Sequence, residues 1–354
     1  MSVKFPTPIG GTPSSIDFAP SIAFAVAYGL VALCAYSRLL RNGKRTLLLI
    51  GMTIFSTESV VMNSLRAAEA LKIRNGGSPS IGRLTYFQVS YMLSYVGIAS
   101  DLTKLVRCLL VIPTYGSDMY FQSPPAPSLR NAKPKADDES DTVTDTSTDT
   151  PSWPKPPPGT KDDPEARKLA RSRTGLHSLA FLFVATIPGI IASSKWRAAL
   201  TNENEGPIVM RLGYVSAGAV ILLTLPMVYA ALWAYRKLPR VSKTGVAIIL
   251  FSCFQILIVA VYRLVVLRNT EDSLTSTGPG SFNSHADKAL FYIFHLLPEW
   301  LVCATLFATD TRSIFATGAF GDWRTTDETE KERLKREKKA AERAAKAKAE
   351  GQDV

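Results

Sequence analysis

The chain has 354 residues, 46% of them hydrophobic and 20% charged, with a net charge of +11, which by length alone is one or two soluble domains. Its mean hydropathy of +0.09 averages two different materials, long uninterrupted apolar blocks and the charge-rich segments between them. That distribution excludes a soluble globule, and four cysteines inside or at the ends of apolar blocks (Cys34, Cys108, Cys253, Cys303) exclude a disulfide-stapled secreted domain.

Residues 1–18 carry one lysine and no small-residue cleavage site after a short apolar core. They read as a retained extracellular or lumenal segment and not as a cleaved signal peptide. A helix needs about 20 apolar residues to cross the hydrocarbon of a bilayer, because its backbone polar groups must be satisfied internally. Seven stretches meet that length: 19–40, 46–65, 85–112, 176–193, 212–235, 245–267 and 289–309. The fold class is therefore an all-α polytopic membrane protein, three spans within 19–114 and four within 175–312. The fourth span is the shortest and the third the most polar, so a re-entrant or surface helix is the alternative for those two.

Basic residues in the turns set orientation. Arg38, Arg41, Lys44 and Arg45 lie around the first turn, and Arg236, Lys237, Arg240 and Lys243 around the turn before the sixth span. Both turns lack acids and read as cytoplasmic, which puts the N-terminus outside and the C-terminus inside. Arg66, Lys72, Arg74 and Arg83 after the second span argue the other way.

Residues 115–174 are rich in Pro, Asp, Ser and Thr, a composition that buries too little apolar surface to fold, and read as a disordered cytoplasmic loop. Its acidic Ser/Thr run at 137–150 can accept phosphate, and Pro154, Pro156 and Pro157 resemble a polyproline ligand, so this loop is the candidate contact for a cytoplasmic partner. Residues 313–354 read as a charged cytoplasmic tail. Its Ala, Glu, Lys and Arg favour helix, but Leu334 is the one large aliphatic residue from 327 to 350, too few for a coiled coil. Nothing in the sequence fixes an oligomeric state.

Ionisable residues at hydrocarbon depth cost about 2.5–3.5 kcal/mol each on insertion scales and so invite a functional reading. With the spans oriented as above, Glu58, Arg263, His295 and Glu299 fall in one slab about 10 Å thick in the outer half of the bundle. They are the candidate ligand-binding residues, Arg263 as the anion contact and the other three as titratable partners. The competing reading is an interhelical ion pair that fixes helix register. Pro298, between His295 and Glu299, should disturb the helix and expose a carbonyl. Tyr262, Tyr292 and Trp300 are candidate walls. Asp101 and Lys104, three residues apart, form a secondary polar pair whose plainer role is mutual neutralisation near the inner headgroups. The sequence holds no Walker loop, dinucleotide fingerprint, zinc-protease motif, CxxC pair or nucleophile elbow. Three histidines make a multi-histidine metal site a poor fit. No enzymatic activity, cofactor, metal or nucleic-acid partner is expected, and membrane lipids are the expected partners. Lys288, at the mouth of the seventh span, is a poor Schiff-base candidate for retinal.

The pattern resembles the fungal RTA-like family of seven-helix lipid-translocating exporters. Phe18-Ala19-Pro20-Ser21 is similar to that family's entry to the first span, Glu58 followed by Arg66 to its second, Tyr86-Phe87-Gln88 to its third, and Arg263 to the Arg that ends its sixth. The chain departs from the family in lacking a Glu shortly after Arg263, in reading His295-x-x-Pro298-Glu299-Trp300, and in its acidic insert. The resemblance implies lipid handling or lipid-stress resistance at a plasma, vacuolar or other endomembrane. A seven-helix receptor signalling through its cytoplasmic loops is the alternative.

Overall fold

The computed structural model describes residues 4–41, 45–124 and 156–332, together with 334, 335, 338, 339, 341, 342 and 345. Among them the chain forms seven helical rods. Three are single helices, α1 (Phe18–Leu40), α2 (Ile50–Arg74) and α3 (Ile81–Val111). The fourth joins α4 (Pro164–Ala180) to α5 (Ile187–Ala199) through a π-helical turn at Phe181–Thr186. Then come α6 (Glu205–Lys237) and α7 (Lys243–Val266), and the last rod joins α8 (His285–Phe291) to α9 (Leu297–Ala308) through a second π turn at Tyr292–Leu296.

Both π turns precede a proline, Pro188 and Pro298, near the start of the following helix. Proline has no N–H for the helical ladder and its ring crowds the carbonyl one turn back, so the ladder widens locally to five residues. The Thr186 hydroxyl donates to the Phe181 carbonyl five residues back (3.0 Å), and Ser216 donates to the Ala185 carbonyl (2.7 Å). At the second turn the Tyr28 hydroxyl reaches the Leu296 carbonyl at 3.4 Å. Each proline thus follows a π turn, and beside the second one the Leu296 carbonyl is taken up by α1.

Five rods are long and apolar enough to cross a membrane, those at Ser15–Leu40, Pro164–Ala199, Glu205–Lys237, Lys243–Val266 and His285–Ala308. Their outward faces carry large apolar side chains in the open, Leu33 at 68%, Leu222 at 69% and Tyr229 at 71% exposed. Charge lies inside, with Asp17, Arg66, Glu69, Arg263, Lys288, His295 and Glu299 all buried. An apolar exterior around a charged interior inverts the soluble pattern and is what hydrocarbon solvent selects. The helices α2 and α3 are long enough to span but carry Ser56, Glu58, Asn63 and Arg66, and Gln88, Ser90, Ser94 and Asp101 respectively. Most of these polar residues are buried because α3 is the central rod, packed against α2, α4, α5, α6 and α7. The third and fourth rods each run for more than 30 residues. The fourth extends well beyond the apolar stretch 176–193 and is 36 residues long.

Two sequence expectations need correction. The loop 115–174 is not disordered throughout: the Ser117 N–H donates to the Thr160 carbonyl and the Asp163 N–H to the Thr114 carbonyl (3.1 and 3.0 Å), which ties its two ends together. Asp163 then caps α4, accepting from the Ala166 N–H at 2.9 Å, with Pro164 in the first turn. That capping signal lay within a stretch read by composition alone. The acidic Ser/Thr run at 137–150 lies outside the described residues. Nor is 313–354 all free tail. After α10 (Thr311–Ile314), Phe315, Ala316 and Thr317 are buried, and the Leu47 N–H donates to the Ala319 carbonyl at 2.7 Å. Gly321 has φ +68°, and a Cβ there would lie 1.9 Å from Leu48, so only glycine lets this segment fold back under the helices. The described residues between 330 and 345 are helical, and Leu334 is exposed.

Candidate functional site

Three of the four predicted ligand-binding residues come together. Arg263 on α7 places Nη1 3.5 Å from His295 Nε2, and His295 Nδ1 lies 3.5 Å from Glu299 Oε1. Ser94 on α3 donates to the same Glu299 oxygen at 2.7 Å. All three ionisable side chains are at most 3% exposed. Arg263 also donates to the Tyr91 carbonyl (3.0 Å) and lies over the Tyr95 ring (4.8 Å). Among the described residues no carboxylate forms an ion pair with Arg263 within 4 Å, and Glu299 lies on the far side of the imidazole. With Nε2 facing a guanidinium that only donates, and Nδ1 facing a carboxylate, a neutral His295 carries its proton on Nδ1. The result is an Arg–His–Glu relay in which the first link is long for a hydrogen bond and the second, at His295 Nδ1, makes none. Tyr262 and Tyr91 pack edge-on to the His295 ring at 5.9 and 5.4 Å.

Glu58 is not part of that relay, contrary to the expectation from depth. It accepts from Tyr86 (2.5 Å) and Ser90 (2.8 Å), one turn of α3 away from Ser94, and is only half-buried. Depth fixed its level but not the rotation of its helix. Asp101 and Lys104 do pair, at 2.5 Å, and Asp101 also accepts from the Met52 N–H at 3.1 Å. Asp101 therefore caps the first turn of α2 from α3, where α2's own N-cap, Leu49, offers no side-chain acceptor.

The relay continues into a second buried cluster at the end of the bundle where the chain begins. Asp17 accepts from Arg66 Nη2 (2.8 Å), Lys288 Nζ (2.9 Å) and the Tyr292 hydroxyl (2.9 Å). Arg66 also donates to the Tyr91 hydroxyl at 3.1 Å and stacks over the Phe291 ring. Tyr91 links the clusters, its hydroxyl to Arg66 and its carbonyl to Arg263. The polar tract runs from Lys288 to Glu299, about 16 Å along one rod. Sequence reading missed it because Arg66 and Lys288 sit near span ends and look like headgroup-level charges. Lys288 is not at an open mouth but 1% exposed. The available signal was spacing, since Lys288, Tyr292, His295 and Glu299 recur every three or four residues and share one helical face.

A third charged cluster lies at the opposite end, around the 115–163 connection. Arg167 bridges Asp162 and Asp327 (2.8 and 2.7 Å), Arg171 bridges Asp322 and Asp327 (2.7 and 2.6 Å), and Arg107 also reaches Asp322 (3.0 Å). Burial pushes the Asp162 and Asp327 carboxyls up, but hydrogen bonds and charge from the arginines outweigh it and hold both below the usual carboxylate range. Burial pushes the Tyr115 phenol, beside the same arginines, up to about 12. A cavity of about 220 Å³ opens beside this cluster between Leu48, Lys104, Arg107 and Trp323. Its cations are already paired with Asp101 and Asp322.

Among the described residues no group of three or more His, Cys, Asp or Glu is placed to hold a metal ion. Compared with known protein families, curated proteins and solved structures, the chain matches none.

Proposed function

We propose that this chain is an integral membrane protein of seven transmembrane helices, N-terminus outside and C-terminus cytoplasmic, that binds, senses or moves an amphipathic lipid and performs no covalent chemistry. The observation that carries the reading is the Arg263–His295–Glu299 relay, buried among rods whose outward faces are apolar. Charges at hydrocarbon depth are costly and are retained where they serve recognition or proton movement. An amphiphile can keep its tail against the apolar faces and bring its head to the polar tract. The resemblance of residues 18–21, Glu58 with Arg66, and 86–88 to the fungal RTA-like exporters points the same way, to lipid-stress resistance at a plasma or vacuolar membrane.

The ion pairs support the orientation. Three of the four basic residues that argued against it are paired locally, Arg66 with Asp17, and Lys72 and Arg83 with the buried Glu69 (3.7 and 2.6 Å), while Arg74 has no ion pair among the described residues. Arg38, Arg236, Lys237 and Lys243 at the other end lack such ion pairs among the described residues, which leaves the positive-inside bias there.

The test is thermal unfolding of the purified protein against a panel of phospholipids, sphingoid bases and sterols, for the parent and Glu299→Gln. A lipid that stabilises the parent and not the variant supports the reading. Equal stabilisation of both, or of neither by any lipid, contradicts it. The receptor alternative is favoured by one observation, the Arg–Asp cluster joining the 115–163 connection, α4 and the C-terminal segment. It predicts that deleting 125–155 removes a signalling output and leaves lipid stabilisation intact.

A further inference from the structure

The segment from Phe5 to Thr12 is buried in the end of the bundle, yet it is neither helix nor part of an extended sheet. Its one strand, β1 (Phe5–Pro6), pairs with the two residues of β2 (Thr270–Glu271). The Thr7 N–H donates to the Asn269 carbonyl and the Gly11 N–H to the Pro8 carbonyl (3.1 and 2.8 Å), and side chains take up further backbone groups. Gln88 accepts from the Ile9 N–H (2.9 Å) and donates to the Ile9 carbonyl (3.3 Å), Trp196 donates to the Pro6 carbonyl (2.9 Å), and Asn283 accepts from the Thr12 N–H (2.8 Å). Arg66 and Lys288 both donate to the Gly10 carbonyl (2.6 and 2.9 Å), and Lys288 also to that of Thr12 (2.6 Å).

Those last contacts carry the inference. Two cations at most 1% exposed share one carboxylate within pairing distance, Asp17. Asp287, the next acid, is engaged by Ser284 at the start of α8 (2.6 Å). The remaining donor capacity of Arg66 and Lys288 goes to neutral oxygens, the Gly10 and Thr12 carbonyls and the Tyr91 and Tyr292 hydroxyls, which are weaker partners for a cation than an anionic oxygen. Gly10 and Gly11, at φ +73° and +63°, turn the chain so that these carbonyls face the cations, and a Cβ at Gly11 would lie 2.2 Å from the Phe282 carbonyl.

We propose that Arg66 and Lys288 form a recognition site for a singly or doubly charged phosphate or sulfate head at the outer end of the bundle, and that the segment 5–12 is its built-in competitor. The anion displaces the Gly10 and Thr12 carbonyls and lifts the segment, which opens the polar tract leading through Tyr91 to the relay. The choice of an amphiphile as natural ligand rests on the lipid reading above; the site itself does not.

The test is hydrogen exchange of the full chain in neutral detergent, with a monoalkyl phosphate, with inorganic phosphate, and with a neutral alkyl glycoside. The alkyl phosphate is expected to speed exchange of the Ile9, Gly11 and Thr12 amides about tenfold or more, and the glycoside to leave them unchanged. Opening by inorganic phosphate at the same concentration identifies a free-anion site, and opening by the alkyl phosphate alone a headgroup site. Lys288→Gln should abolish the response. Gln88→Ala, which weakens the segment without touching either cation, should bind the alkyl phosphate several-fold more tightly because its competitor is less stable. Protection at 5–12 unchanged by both phosphates, or Gln88→Ala binding no tighter than the parent, overturns the proposal. Either result leaves the Glu299 stabilisation test to decide the lipid reading separately.

Discussion

Replacing Asp17 by Asn tests whether the Asp17–Arg66–Lys288 cluster is a charge-compensated core. Asp17 is fully buried and accepts from Arg66, Lys288, Tyr292 and both the N–H and hydroxyl of Ser14. The amide keeps the Oδ1 acceptor but turns a donor toward whichever of Lys288 or Arg66 it faces, and leaves two buried cations with no anion. Breaking a buried pair on one side costs about 3–5 kcal/mol. Asp17→Asn should therefore destabilise by about that amount, measured by reversible denaturant unfolding in micelles. Removing one cation at the same time, as Asp17→Asn with Lys288→Met, should recover at least about 1 kcal/mol, since contacting residues couple by about 0.5–3 kcal/mol. A single variant within about 0.5 kcal/mol of the parent, or a strictly additive double, would refute the reasoning.

Gly51→Ala separates propensity from geometry. Helix propensity alone favours Ala by about 1 kcal/mol, but its Cβ would sit 2.5 Å from Asp101 Oδ2 and push the carboxylate off the Met52 N–H, so net destabilisation is expected in the same unfolding assay. Glu58→Gln should change stability by less than about 1 kcal/mol, because Tyr86 and Ser90 can still donate to the amide oxygen, and should leave lipid-induced stabilisation as in the parent, unlike Glu299→Gln. At the opposite end, Asp162 and Asp327 have folded pKa values below their unfolded values, near 3.9 for a free Asp. Their contribution is therefore complete above about pH 4 and lost as pH falls through the lower folded values. Limited proteolysis after residue 320 should be constant from about pH 7 to 5 and rise only in stronger acid; a rise centred near pH 6 would contradict this.

Much of the architecture was legible because hydrocarbon imposes a length and a composition on any helix that crosses it. The stretches 19–40, 212–235 and 245–267 lie within α1, α6 and α7, the last to within one residue. What was not legible depended on rotation and on contacts distant in sequence. Depth put Glu58 level with Glu299, but helix rotation turned it toward Tyr86. Arg66 and Lys288 looked like flanking charges until the 5–12 segment folded over them, a contact spanning nearly the whole chain. Pro298 announced a disturbance in the last rod, but Tyr28 on α1, which takes up the Leu296 carbonyl there, is distant in sequence. Composition also misled at 156–174, where local capping by Asp163 and ion pairs from Arg167 and Arg171 outweigh a loop-like residue content.

The most direct test of the account is single-cysteine labelling in intact cells with a membrane-impermeant maleimide, in a background where the exposed Cys34 is replaced by Ser. The account predicts that Ser276→Cys, beyond α7, labels from outside, and that Lys161→Cys, before α4, labels only after permeabilisation. It also predicts that Ile293→Cys, on the outward face of the last rod at 49% exposure, is shielded by lipid and labels in neither case. Labelling of Lys161→Cys in intact cells with Ser276→Cys protected would invert the orientation, and ready labelling of Ile293→Cys would contradict a membrane-embedded bundle.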